Sequence, residues 1–289
     1  MKWCLSLVTL SVACATSPVA PPPPSTQLVT IGDSTVSFTI DVLRGGAIVD
    51  LRAEDSGNIV DNGDATGRQI QAALYDGTWS PDFWPCPGGT LAQWGNDPVQ
   101  AGNACETPSG GQVLSQSPLT TQTTPLQWNA SLGRSTMDLV QTLTIVAPGV
   151  LKIDYRVTNL GMAEFGADNW QEMPGAYFDA RFSTAWYMST GVLTSFGATH
   201  AGANDLRPLT TSEPWIALTR DDGWAVALVL PGHLTPWALQ LGGGGDKPAS
   251  FLDALQWLHL APGQTQTNTA WVVVGRSLDE VRARIRLIL

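Results

Sequence analysis

Residues 137–159 read MDLVQTLTIVAPGVLKIDYRVTN, and this stretch decides the fold class of the chain. Apolar and polar side chains alternate along residues 137–146 and again along residues 150–159, which is the period of a β-strand with one buried face. Ala147-Pro148-Gly149 supplies turn residues between the two runs. The stretch therefore predicts a β-hairpin of two long antiparallel strands.

The same alternation continues on both sides of this hairpin. Residues 215–219 and 224–230 flank a turn at 221–223 and predict a second hairpin. Residues 28–51 predict an opening meander, with strands at 29–31 and 35–43 and a third strand after Gly45-Gly46. Two short final strands are predicted at 257–260 and 269–274.

The C-terminus carries the one helix that the sequence predicts. Ser277 can cap it, Asp279 and Glu280 suit its first turn, and Val281 and Ile285 begin an apolar stripe. With no internal repeat and no second boundary, residues 27–289 are expected to form a single domain. The fold class expected is all-β, a large antiparallel β-sandwich (supersandwich) with one short C-terminal helix.

Residues 1–26 are expected to lie outside this domain. Residues 1–15 combine Lys2, a short apolar run and small residues at 13–15, which is typical of a secretory signal peptide. Either Cys14 is lipidated as a new N-terminus, or an ordinary peptidase cuts after Ala15. Residues 16–26 are rich in proline and predict an extended tether. The protein is therefore expected to be exported, either lipid-anchored in the cell envelope or secreted.

Charge and cysteine content limit the partners. The formal net charge is −10 and no cluster of Lys or Arg precedes the C-terminal helix, which argues against nucleic acid. Membrane contact is expected only through a lipid anchor, and the chain is expected to be a monomer. Cys86 and Cys105 form an even pair in an exported chain and predict a disulfide, the alternative being two buried thiols. No metal or other cofactor is expected, since no further Cys or His accompanies this pair.

The most polar stretch of the chain is 61–77, DNGDATGRQIQAALYDG. Asp61 and Asp64 are either turn residues that accept backbone N–H bonds or catalytic carboxylates. Arg68 either pairs with Asp64 or binds sugar hydroxyls. In an extended segment Gln69, Gln71 and Tyr75 would share one face, so these residues predict a saccharide-binding surface.

A long segment at 78–116 follows, rich in Trp, Pro, Gly and Asn. A loop of this length in a compact domain is usually functional or disordered, and its three tryptophans and predicted disulfide favour an ordered one. It is either a lid that packs its tryptophans inward or a surface that stacks them on sugar rings. The candidate substrate-binding residues here are Trp79, Trp84, Trp94, Gln100 and Asn103.

The layout of these motifs resembles the galactose-mutarotase-like β-supersandwich superfamily, which includes aldose epimerases and domains of glycoside hydrolases and polysaccharide lyases. The resemblance covers most of residues 27–289 and is carried by a few short motifs. They are Gly45-Gly46, Gly67-Arg68-x-Ile70-Gln71, the segment 96–103, Val157-Thr158-Asn159, Gln171-Glu172-Met173-Pro174 and Pro262-Gly263. It implies a sandwich whose concave sheet faces a sugar. The epimerase pattern of a His pair with a later Glu is not found, because His200, His233 and His259 are widely separated, so mutarotase activity is not implied.

Glu172 is the best candidate for a general acid or base. It lies between Trp170 and Met173, and apolar neighbours raise the pKa of a carboxyl. Glycosidic hydrolysis needs a second carboxylate, for which Asp61 or Asp64 could serve. His200 is a candidate base for epimerisation or elimination.

Two classes of function remain open at this stage. The first is an enzyme, a hydrolase or lyase acting on an extracellular or cell-envelope glycan. The second is a non-catalytic carbohydrate-binding protein or a structural envelope lipoprotein.

Overall fold

The computed structural model describes residues 27–75, 84–86, 91–92, 97–166, 170–197, 207–232, 237–243 and 248–289. The predicted signal peptide, the tether and Cys14 lie outside these ranges. The elements in chain order are β1 Leu28–Gly32, β2 Ser37–Asp41, β3 Ala47–Arg52, β4 Ile70–Ala73, β5 Trp84–Pro85, β6 Leu91–Ala92, β7 Pro98–Val99, β8 Gln112–Gln116, β9 Leu119–Thr123, β10 Leu126–Gln127, β11 Met137–Ala147, β12 Val150–Asn159, β13 Trp170–Asp179, β14 Thr184–Ser189, β15 Val192–Gly197, β16 Arg207–Leu209, β17 Trp215–Thr219, β18 Ala225–Val229, β19 Trp237–Gly243, β20 Ala249–Ala254, β21 Gln256–Trp257, β22 Thr265–Gly275 and α1 Leu278–Ile288. Short 3₁₀ turns occur at Val42–Arg44 and Ala130–Leu132.

Two large antiparallel sheets make up most of the described part of the chain, and β5 and β6 pair in a separate two-stranded sheet. The first, which we call the site sheet, runs in the order β1-β2-β3-β4-β13-β20-β19-β16, with β7, β10 and β21 attached to it. The second, the opposite sheet, runs in the order β15-β14-β17-β18-β22-β12-β11-β9-β8. The predicted all-β sandwich is confirmed.

One hydrophobic core fills the space between the sheets. Alternate residues of each strand enter it, such as Phe38 and Ile40 of β2 and Ile153 and Tyr155 of β12, all of them almost fully buried. This follows from the period of two, because successive side chains of a strand point to opposite faces. The other face of the site sheet is therefore free to carry polar groups.

Both predicted hairpins are confirmed. β11 and β12 pair antiparallel, with Leu143 opposite Ile153, and β17 pairs with β18. The predicted helix is α1, with Ser277 accepting from Glu280 N at its N-cap. Val281 and Ile285 of α1 pack on the outer face of the opposite sheet. No helix within the described ranges is long and apolar enough to cross a membrane.

Some predicted boundaries were wrong. The strand expected to continue to Leu43 ends at Asp41, because the Asp41 carboxylate accepts from Leu43 N at 3.0 Å and starts a 3₁₀ turn. The final strand begins at Thr265, four residues before the prediction. The Cys86–Cys105 disulfide is confirmed, with 5.2 Å between the two Cα atoms.

Candidate functional site

Strand β13 crosses the site sheet between β4 and β20 and divides its residues between the two faces. Ala176 and Phe178 belong to the core, so Tyr177 between them points to the outer face. There its ring contacts Phe251 of β20, with 4.6 Å between the ring centroids. The outer face is the candidate site.

A β-bulge at the start of β13 sets the position of the acidic candidate. Glu172 pairs with Ala73 and Gly175 pairs with Gln71, so three steps along β13 oppose two steps along β4. Pro174 lies inside this irregularity, where its missing N–H costs no ladder bond. The carbonyl of Met173 accepts from Gln256 Nε2 at 3.0 Å and from Asn268 Nδ2. The bulge is therefore anchored by side-chain amides.

The carboxyl of Glu172 lies back over the bulge. A Cβ atom at Gly175 would overlap Glu172 Oε2, so the glycine leaves the space that the carboxyl occupies. The Tyr75 hydroxyl donates to Glu172 Oε1 at 2.5 Å. Gln171, the residue before the acid, holds Tyr75 by both amide atoms, accepting from Tyr75 N at 2.7 Å and donating to Tyr75 O at 2.8 Å. The acid and its phenol are thus fixed by the same strand.

A second carboxyl lies beside the first. Asp253 of β20 pairs with Gly175 and is fully buried. Among the residues that the structure describes, none gives either of its carboxyl oxygens a hydrogen bond. Burial, followed by the charge of Glu172, raises the pKa of Asp253 well above its ordinary value, and the field of the Ala254 N–H offsets this only in part. Burial therefore favours the protonated form of the Asp253 carboxyl.

Burial raises the pKa of Glu172 to about 7, against an ordinary value of 4.5, and the Tyr75 hydrogen bond opposes part of this rise. The Tyr75 hydroxyl stays protonated, because burial and the Glu172 charge raise its own pKa well above 10. Glu172 keeps partial contact with solvent, whereas Asp253 has none. Of the two neighbouring carboxyls, Glu172 is therefore the one that can exchange a proton with a ligand near neutral pH.

Tyr177 connects this pair to the polar stretch that precedes β4. Burial raises its pKa most, and the charges of Glu172, Asp64 and Asp253 raise it further, while Arg68 lowers it. The Tyr177 hydroxyl therefore lies within electrostatic range of all four of these side chains. The structure brings the two predicted regions, 61–75 and Glu172, to one face of the sheet.

The two aspartates of the stretch differ in their bonding. Asp64 Oδ1 accepts backbone N–H bonds from Thr66, Gly67 and Arg68, so it is the turn-forming residue of the sequence prediction. Asp61 Oδ2 accepts one longer backbone bond from Gly63 at 3.3 Å. The Arg68 guanidinium lies between the two carboxylates, with Nη1 3.5 Å from Asp61 Oδ2 and Nε 3.6 Å from Asp64 Oδ2. Burial raises the pKa of Asp61 despite this arginine.

Four amide side chains that were predicted to bind sugar make hydrogen bonds within the protein. Gln69 donates to Asn62 and to the Asp64 carbonyl, and Gln71 bridges Thr66 O and Ala101 N. Gln100 joins Gly45, Ala72 and Gln141, while Asn103 accepts from Cys105 N and Thr107 N. All four side chains are buried and hydrogen-bond to groups of irregular segments, so their contact with substrate stays a prediction.

Several candidate site residues have side chains outside the described part of the chain. Trp79, Trp94, His200 and His233 lie outside the described residues, and the structure describes only the backbone of Trp84. Of the three histidines, His259 is described: it is exposed, with Nε2 3.5 Å from Glu164.

Asp253 is the residue that the sequence analysis missed. Its signal was present, because it is the charged residue within the otherwise apolar run Phe251-Leu252-Asp253-Ala254-Leu255. A buried charge in a strand is costly and is commonly retained for function.

Comparison with solved structures shows the same architecture in proteins of very different sequence. The crystal structure of Slr1438 from Synechocystis sp. PCC 6803 matches with a TM-score of 0.56 and 14% identity, over 91% of this chain and 100% of that one. A GalM/aldose epimerase homologue from C. elegans matches with a TM-score of 0.58 and 10% identity, over 88% and 100%. A galactose mutarotase-like protein from Lactobacillus casei ATCC 334 matches with a TM-score of 0.54 and 15% identity, over 86% and 100%.

No family model and no curated protein sequence matches the chain. The likeness is therefore one of architecture, distant in sequence, and it extends over most of the described ranges. The chain has the galactose mutarotase-like fold.

Proposed function

We propose that this chain is an exported carbohydrate-active enzyme and that Glu172 is its general acid–base group. The observation that carries the proposal is a carboxyl of pKa about 7 on the outer face of the site sheet, hydrogen-bonded to Tyr75. Such a group holds and releases a proton at neutral pH, which is what acid–base catalysis at a sugar oxygen requires. The fold shared with galactose mutarotase-like proteins supports a sugar as the ligand.

The charges around Glu172 favour a neutral sugar. Asp253 lies beside it, and the Arg68 guanidinium on the same face is already paired with Asp61 and Asp64. An anionic uronate would bring a further negative charge to this face, which costs electrostatic free energy. Hydrolysis of a neutral glycan is therefore favoured over the elimination that polysaccharide lyases perform.

In this mechanism protonated Glu172 donates its proton to the glycosidic oxygen as the bond breaks. A second carboxylate, roughly 5–9 Å away across the sugar ring, either takes a proton from the water that attacks the anomeric carbon or attacks that carbon itself, to be displaced afterwards by water. Asp61 suits this role better than Asp64, since Asp64 Oδ1 already accepts three backbone N–H bonds. Asp253 is fully buried beside Glu172 and has no access to substrate.

The test is a panel of neutral and uronate glycans incubated with the full chain, with release of reducing ends as the readout. Glu172→Gln keeps the shape of the acid and removes its proton, and should lower turnover by about 10²–10⁴-fold. Asp221→Asn, in the exposed turn between β17 and β18 of the opposite sheet, is the matched control and should keep full activity.

Wild-type turnover in Glu172→Gln would refute the assignment of the acid. Binding of a glycan without turnover would leave a non-catalytic carbohydrate-binding protein. Absence of both on the whole panel would refute the carbohydrate proposal.

A further inference from the structure

Trp257 is the feature of the outer face that the proposed reaction does not use. Its side chain is 54% exposed, and among the residues whose exposure the structure describes no other Phe, Tyr or Trp side chain is exposed. A single exposed apolar residue is ordinary on a protein surface. What makes Trp257 informative is its place relative to Glu172.

The alternation of β20 and β21 puts Trp257 on the outer face. Leu252, Ala254 and Leu258 enter the core between the sheets. Residues of the other parity therefore face outward, and Phe251 and Leu255 do so in a cluster with Tyr177. Trp257 is the next outward position after Leu255.

The register then brings Trp257 close to the acid. Trp257 pairs with the backbone of Trp170, two residues before Glu172 on β13. Residues two apart on a strand share a face, so Trp257 and Glu172 are diagonal neighbours, with roughly 7–8 Å between their Cα atoms.

Hydrogen bonds fix this relation. Gln256, beside Trp257, donates to the carbonyl of Met173, beside Glu172, at 3.0 Å. The Trp257 carbonyl accepts from Gln266 Nε2 at 3.3 Å. The indole is thus carried on a backbone tied to the same bulge that positions the acid.

We propose that Trp257 is a stacking platform for the sugar ring next to the one that Glu172 protonates. A pyranose ring has an apolar face that an indole can cover, while its hydroxyls stay in water. A platform at this distance recognises a second ring, so the substrate class is an oligosaccharide or polysaccharide. This inference rests on the proposed function and specifies its substrate.

The experiment measures affinity against chain length by titration calorimetry. The probes are cello-, malto-, xylo- and manno-oligosaccharides of one to six units, with the Glu172→Gln full chain as the background that prevents turnover. In that background affinity should rise about tenfold from one unit to two in the series that binds. Adding Trp257→Ala should abolish this rise, and Trp257→Phe should keep most of it. Leu287→Ala, which truncates an exposed apolar side chain on α1, is the control and should leave the rise intact.

The outcomes separate the two proposals. A rise that persists in Trp257→Ala, or a loss that is equal for one unit and for longer chains, overturns the platform and leaves the acid untouched. If no series binds to the background chain or to wild type, the carbohydrate proposal fails and the platform fails with it.

Discussion

Replacing Glu172 by Gln should stabilise the folded chain at alkaline pH and leave its stability at acid pH unchanged. The folded state holds the Glu172 proton up to a pKa of about 7, whereas the ordinary value that applies to the unfolded chain is 4.5. Between these two values the folded state binds more protons, so its stability falls as pH rises. The contribution of this proton to the free energy of unfolding is fully present below pH 4.5 and is lost above pH 7.

The size of this effect follows from the two pKa values. Each pH unit between them is worth about 1.4 kcal/mol, which gives about 3 kcal/mol as an upper figure. The carboxyl retains some contact with water, which screens it, so we expect about 1–3 kcal/mol.

Urea unfolding at pH 4.5 and pH 8.5 measures the effect directly. The free energies of unfolding of wild type and Glu172→Gln should agree at the lower pH and differ by about 1–3 kcal/mol at the higher, with the variant more stable. Asp221→Asn, whose carboxyl is exposed, should follow wild type at both values.

A difference of the opposite sign at pH 8.5 would refute the reasoning, because it would mean that Glu172 is stabilised as a charge. Equal stabilities at both pH values would show that burial does not raise its pKa. In either case the assignment of Glu172 as the neutral-pH acid would be lost.

Three further substitutions test other parts of the structure. Tyr75→Phe removes the hydrogen bond that lowers the pKa of Glu172, so the carboxyl titration followed by ¹³C NMR should move above 7; a lower or unchanged value would contradict this. Replacing Cys86 and Cys105 by Ser should cost about 3 kcal/mol of unfolding free energy on the chain-entropy model, and a loss under about 1 kcal/mol would count against it. Tyr155→Phe removes a buried hydroxyl that has no partner among the described residues, and should raise stability by about 1 kcal/mol in thermal unfolding; destabilisation would indicate a hidden partner.

The fold could be predicted from sequence because its signals are local. Alternation along residues 137–159 fixes which side chains face the core, and the turn at 147–149 fixes the partner strand. The same holds for the helix, whose cap and apolar stripe lie within a dozen residues. Where a side chain interfered with the backbone, as Asp41 does at the end of β2, the predicted boundary failed.

The site could be predicted only in part, because its geometry depends on strand register. Glu172 was identified from its apolar neighbours, which are adjacent in sequence. Asp253 was missed, because only the pairing of Gly175 with Asp253 shows that the two carboxyls meet. Composition likewise could not distinguish an amide that binds sugar from one that hydrogen-bonds to backbone groups of irregular segments. Gln71 and Gln100 are of the second kind.

The amide of Asn268 links the opposite sheet to the backbone next to the acid. Asn268 belongs to β22 of the opposite sheet, yet it donates to the carbonyl of Met173 in the site sheet. Its side chain therefore connects the two sheets by a hydrogen bond to the residue that follows Glu172. A substitution of Asn268 on the opposite sheet would therefore act on the acid through the Met173 carbonyl and the bulge, with no contact to any ligand.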